Sequence, residues 1–233
     1  MIKTWSHSRL QDFEKCKFYA YLKYVEKVPE PERALPTGKT EHANERGSRV
    51  HDEAEAFVRG ITNPIPTEFQ HFDNELRKLR ELFPTGAVSL EEEWAHAADW
   101  TPCPWGSDEQ WLRLKLDAFV HLAPEHAMVI DYKTGKKAGN EVKHAEQGQL
   151  YQLSGFLRYP ALQTIDVEFW YVDQDDLTHI RYTRDQGMRF LKNFDMRGKR
   201  MTECVDFPPN PNMYNCRWCK YGPKGTGNCK VGV

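Results

Sequence analysis

The chain has 233 residues, which suits one larger domain, or one domain with a small appendage, and is long enough to bury a real core. At 39% hydrophobic, 28% charged and 12% aromatic residues, its composition excludes a largely disordered protein. The formal net charge of −2 argues against binding to nucleic acid through overall charge. That leaves two local basic clusters, Lys133/Lys136/Lys137/Lys143 and Arg197/Lys199/Arg200, for such contacts.

No apolar run approaches the ~20 residues that span a bilayer, and the opening MIKTWSHSRLQDFEKCK has no signal-peptide core. A cytoplasmic protein without a membrane partner is therefore expected. Thiols stay reduced there, so closely spaced cysteines suggest metal rather than disulfides. The six are Cys16, Cys103, Cys204, Cys216, Cys219 and Cys229.

In chain order, residues 6–26 predict a helix capped by Ser6 or Ser8, with Leu10, Phe13, Phe18 and Tyr21 roughly on one face. Three prolines and a glycine make 29–40 a loop. Residues 44–59 and 67–83 predict two more helices, the first ending at Gly60. The pattern then switches to period two. Residues 88–100 are a strand candidate, and 111–122 alternates, with Leu112, Leu114, Leu116 and Ala118 on one face and Arg113, Lys115 and Asp117 on the other. A turn at 123–126 leads to a compact strand at 127–133, completing a hairpin. A helix over 141–159, a hairpin from 165–173 and 177–184, and a helix over 185–203 follow. The last thirty residues are rich in Pro, Gly, Asn and Cys. The order predicts a mixed α/β layer fold without coiled-coil heptads.

The 111–133 hairpin carries the chemistry. With its turn centred near residue 124, cross-strand partners sum to 248, which sets Asp117 opposite Asp131. Opposed Cβ atoms stand ~4.5–5.5 Å apart, where two carboxylates repel unless a cation lies between them. A divalent metal with hard oxygen ligands meets that need. Lys133 shares the face of Asp131. Two carboxylates and an ammonium group at one strand end suit phosphodiester hydrolysis, with the metal activating water and the lysine stabilising the transition state.

Taken together, SHSRLQDFEKCKFY, RGSRVH (46–51), LKLDAF around Asp117, VIDYKTGK (129–136) and QGQLYQLSGF (147–156) resemble, in order, the motifs of RecB-like PD-(D/E)XK nucleases. These include CRISPR-associated adaptation nucleases and the nuclease domain of AddB-type recombination proteins. Lys17 stands where that family commonly has proline, and Leu114 where it often has glycine. The resemblance implies a restriction-endonuclease-like mixed central sheet flanked by helices, in a single domain over 1–233. It implies Mg or Mn held by His51, Asp117, Asp131 and the Tyr132 carbonyl, with Lys133 assisting catalysis and Gln147 and Tyr151 beside it. DNA is the implied substrate, with single-stranded ends favoured, and recombination or replication proteins are the implied partners. The expected activity is an exonuclease in phage or bacterial DNA metabolism. A non-catalytic DNA-binding or adaptor protein of the same fold is the alternative. Glu93 lies in a run of three glutamates and has no assignable face.

Cys216-x-x-Cys219 with Cys229 is a three-ligand array, which by itself fits zinc or redox chemistry. The resemblance adds Cys16 and implies a 4Fe-4S cluster on the four thiolates, with zinc as the second choice. Segments 1–28 and 204–233 would then form a clasp. Cys204 and Cys103 fall outside the pattern.

Overall fold

In the computed structural model, residues 1–32 and 34–232 are described. Arg33, within the predicted 29–40 loop, and Val233, at the end of the predicted clasp, lie outside the described residues. The centre is a mixed six-stranded sheet in the order β2-β1-β3-β4-β5-β6. The strands are β1 (Val88–His96), β2 (Pro102–Cys103), β3 (Leu112–Ala123), β4 (His126–Lys133), β5 (Thr164–Tyr171) and β6 (Asp176–Thr183). Among these strands only the β4–β5 pair is parallel, and Trp5 adds an isolated parallel bridge to Leu112 of β3. A parallel neighbour needs a long crossover, and α5 (Glu141–Arg158) supplies it. No helix among the described residues is long and apolar enough to cross a membrane.

Helices cover both faces. On one side α1 (His7–Lys15), α5 and α7 (Leu191–Thr202) bury Phe13, Leu150, Phe156 and Phe194 against Trp94, Phe119 and Val129. On the other, α3 (Ala43–Val58) and α4 (Asp73–Leu82) bury Val50, Phe57 and Leu76 against Leu90, Val120 and Tyr132. Gly198 marks a close approach of α7 to two buried indoles. A Cβ there would stand 2.6 Å from Trp111 and 2.8 Å from Trp5. Gly198→Ala is expected to lower stability by about 2 kcal/mol, read as a lower melting temperature, because two buried indoles must shift to admit one methyl group.

The β3–β4 ladder has the predicted sum, but it begins at Ala118↔Ile130, so the predicted Asp117–Asp131 pair itself lies outside it. Ala118 pairs with Ile130, Phe119 with Val129 and Val120 with Met128, each summing to 248. The face assignment needs correction. Leu116 and Phe119, three residues apart, both lie in the first core, while Ala118 lies in the second. Strict alternation forbids this, so β3 slips phase at Asp117. Its neighbour slips too. Leu90 belongs to the second core and Trp94, four residues on, to the first. Between them Glu91 adopts φ 53°, a left-handed conformation uncommon for any residue but glycine. The β1–β3 ladder skips Glu91 and Asp117 alone between Leu90↔Ala118 and Glu92↔Leu116.

Several predicted elements are divided. The 6–26 helix breaks at Cys16 (φ −160°, ψ 112°) into α1 and α2 (Lys17–Tyr24). No glycine or proline marks the break; it is held from a distance. The Lys15 carbonyl at the end of α1 accepts from Asn210 Nδ2 at 3.2 Å and Asn215 Nδ2 at 2.9 Å. The 67–83 helix starts as a 3-10 turn (Thr67–Phe72) ahead of α4. The 185–203 helix splits into α6 (Arg184–Met188) and α7. Strand 88–100 stops at His96, where a turn ending in Trp100 at φ 71° returns the chain as β2. A short α8 (Met213–Cys216) lies in the tail.

Candidate active site

The phase slip turns carboxylates toward α3. Asp117 Oδ2 accepts the Tyr132 backbone N–H at 2.6 Å, and its Oδ1 lies 3.1 Å from His51 Nδ1. His51 Nε2 stands 3.1 Å from the Tyr132 carbonyl. Glu91 completes the group: one ligand atom each from His51, Glu91 and Asp117 lie within 4.8 Å of one another. Carboxylate oxygens, a carbonyl and one imidazole form a hard donor set that fits a small divalent cation such as Mg or Mn.

The electrostatics agree. Burial disfavours a charged His51, but the hydrogen bond and charge of Asp117, with Asp131 and Glu91 beyond, outweigh it and raise the imidazole to about 9. Burial, then the neighbouring Asp131 charge, push the Asp117 carboxyl above its ordinary value, although His51 opposes the shift. Such clustered perturbation is the usual mark of a functional site.

Asp131 faces the α5 side. Its Oδ2 is 2.5 Å from Lys133 Nζ, and its Oδ1 accepts from Tyr151 OH at 2.8 Å and Gln147 Nε2 at 3.2 Å. Gln147 Oε1 accepts from Lys133 Nζ at 2.9 Å, so one amide bridges carboxylate and ammonium. Gln147 and Tyr151 sit one helical turn apart on α5, which brings both to the same place. Burial, and then Asp131, push the Tyr151 hydroxyl well above its ordinary value, so it stays a donor.

The sequence-predicted residues thus meet in two linked sets, His51–Asp117–Tyr132 and Asp131–Lys133–Gln147–Tyr151, joined through adjacent residues of β4. The sequence pattern missed Glu91. Glu93, weighed in its place, is exposed and stands opposite Lys115.

Four cysteines gather where the two end segments of the chain meet. Cys16, Cys216, Cys219 and Cys229 line one cavity with Tyr19 and Tyr221. Cys16 Sγ accepts the Asn210 N–H at 3.4 Å. Cys103 and Cys204 do not line that cavity. Four thiols around one space fit a thiolate-bound metal or cluster.

Comparison with known proteins places this geometry. No curated protein matches the chain in sequence. In fold, the chain is similar to a "Putative exonuclease" from Eubacterium rectale, at 14% identity and TM-score 0.52, covering 99% of this chain and 90% of that one. Weaker likenesses are to SSO0001 (12% identity, TM-score 0.46, covering 99% and 88%) and to an alkaline exonuclease from Laribacter hongkongensis (13%, 0.35, covering 87% of each). The model of the PD-(D/E)XK nuclease superfamily matches residues 4–223, nearly the whole chain, and by that match the chain belongs to this superfamily.

Proposed function

We propose that the protein is a Mg- or Mn-dependent deoxyribonuclease acting as an exonuclease on DNA ends. The observation that carries this reading is the convergence of His51, Glu91 and Asp117 within 4.8 Å, beside the Asp131–Lys133 pair. A divalent cation bound there supplies Lewis-acid stabilisation of charge on the phosphate and makes water more acidic. His51, Glu91, Asp117, Asp131 and the Tyr132 carbonyl would hold it.

The remaining chemistry belongs to the side chains. Lys133 has three donors, of which Asp131 and Gln147 take two, at 2.5 and 2.9 Å. The third is free for the nucleophile or a phosphate oxygen, in a groove that Lys133 lines. Gln147 and Tyr151 fix Asp131 and so fix the lysine. This preorganisation is what electrostatic catalysis requires. Retention of the whole set favours catalysis over a binding-only adaptor.

Glu91→Gln keeps the side chain's shape and removes its charge. It is expected to weaken Mn binding by about tenfold, read by titration calorimetry. Unchanged affinity would remove Glu91 from the site. The reading as an exonuclease is tested with linear and covalently closed single-stranded DNA of one sequence. Degradation of the linear form alone is expected; equal cutting of both would make the enzyme an endonuclease.

We also propose that the four cysteines hold a 4Fe-4S cluster, making segments 1–28 and 204–232 a clasp on a single nuclease domain. What supports the reading is that Cys16, Cys216, Cys219 and Cys229 line one cavity, and four thiolates are the usual ligands of such a cluster.

A further inference from the structure

The groove beside Lys133 holds more than the reacting groups. Its walls include Trp105, Arg113, Lys115 and Lys143, with Gln147 and Tyr151 at the catalytic side. Lys115 and Lys133 already have carboxylate partners, Glu91 and Asp131. Among the described residues, Arg113 and Lys143 face no carboxylate within 4.0 Å. In a chain of net charge −2, two unneutralised cations in a groove that reaches Lys133 are a local anion-binding feature.

Trp105 is the unexpected member. Trp5, Trp94, Trp100, Trp111 and Trp170 are all at most 7% exposed, whereas Trp105 is 38% exposed and Trp218, in the tail away from this groove, 77%. It is also held in place. Its loop joins β2 to β3 and is closed by Ser107 N–H to the Pro104 carbonyl at 3.3 Å and Gly106 N–H to Gln110 Oε1 at 2.7 Å. Gly106 takes φ 78°, which allows the tight reversal just after the indole. The Arg113 guanidinium lies 5.9 Å from the ring centroid. A fixed, half-open indole flanked by cations is the composition of a nucleobase-stacking platform, since every base offers a π-face and every linkage a phosphate.

Resting on the nuclease reading above, we infer that Trp105 is a specificity-determining residue that stacks a base of a single-stranded DNA end. Arg113 and Lys143 hold the flanking phosphates. Bases inside a duplex are already stacked on each other, so the indole selects an unpaired strand.

The test uses the full-length, cluster-replete protein and its Trp105→Ala and Trp105→Phe variants. Fluorescein-labelled single-stranded oligonucleotides, with and without a run of abasic residues near the end, are bound in calcium by anisotropy and cleaved in magnesium or manganese. Trp105→Ala is expected to weaken binding and raise KM about tenfold on the intact strand, with kcat within about twofold. Trp105→Phe should recover most of that loss. The abasic strand should bind wild type about tenfold more weakly and lose nothing further in Trp105→Ala. Unchanged affinity and KM in Trp105→Ala, or equal loss on intact and abasic strands, would overturn the inference. So would wild type that binds no single strand. Wild type that binds in this pattern but does not cleave would sink the nuclease reading and leave the stacking platform standing.

Discussion

Lys133→Ala is expected to slow phosphodiester cleavage by about 100- to 1000-fold, the usual cost of removing one preorganised donor from a transition state. The side chain spans the site: it pairs with Asp131 at 2.5 Å, donates to Gln147 at 2.9 Å, and lies 5.4 Å over the Phe169 ring. Its loss leaves Asp131, only 4% exposed, with Tyr151 and Gln147 still donating to Oδ1. The carboxylate keeps two donors, so the fold should survive, with a melting temperature lowered by the unpaired Oδ2. Manganese affinity should be retained, because the His51, Glu91 and Asp117 donors are untouched. Single-turnover cleavage of an end-labelled oligonucleotide, with a melting curve and a manganese titration on the same preparation, checks all three. A variant that cuts within tenfold of wild type would mean that Lys133 only neutralises Asp131.

Cys16→Ala or Cys219→Ala is expected to give colourless, poorly soluble protein. The tail is held by a handful of polar contacts and a few aromatic ones. Asn210 and Asn215 bond the Lys15 carbonyl, Tyr221 OH bonds the Val28 carbonyl at 3.1 Å, and Lys220 pairs with Glu30. Apolar burial in the tail is confined to a few side chains, Tyr221 fully buried beside Tyr19 and Phe207 against Phe13 and Tyr21, while Tyr214 at 84% and Trp218 at 77% exposure add little. Cluster binding would be folding free energy for this end of the molecule, and one missing thiolate removes it. The Cys103→Ser and Cys204→Ser variants are the controls. Neither residue lines the four-cysteine cavity, and both should keep the colour. Well-folded brown protein from Cys16→Ala would refute the ligand set.

Much of this architecture was legible in the sequence. The hairpin register followed from the turn, and the helix spacing of Gln147 and Tyr151 brought them to one face. What was hidden is long-range. The alternation in β3 ends at Asp117 because both faces of the sheet are covered beyond it, so Ala118, Phe119 and Val120 are all buried and period two disappears. Glu91 was indistinguishable from its neighbours because only its left-handed φ of 53° turns it toward His51. The break at Cys16 carries no local signal, since the groups that donate to the Cys16 sulfur and the Lys15 carbonyl come from residues 210 and 215. β2, two residues long, exists only as an edge partner of Ala95 and His96.

The most direct test of the metal-dependent nuclease is cleavage of end-labelled linear DNA by anaerobically purified wild type. Parallel reactions contain magnesium, manganese or EDTA. Degradation with either metal and none in EDTA is the predicted result. An uncut substrate with both metals, from protein that retains its cluster, would contradict it and leave a DNA-binding adaptor of the same fold. Cutting that persists in EDTA would place the chemistry outside the His51–Glu91–Asp117 site.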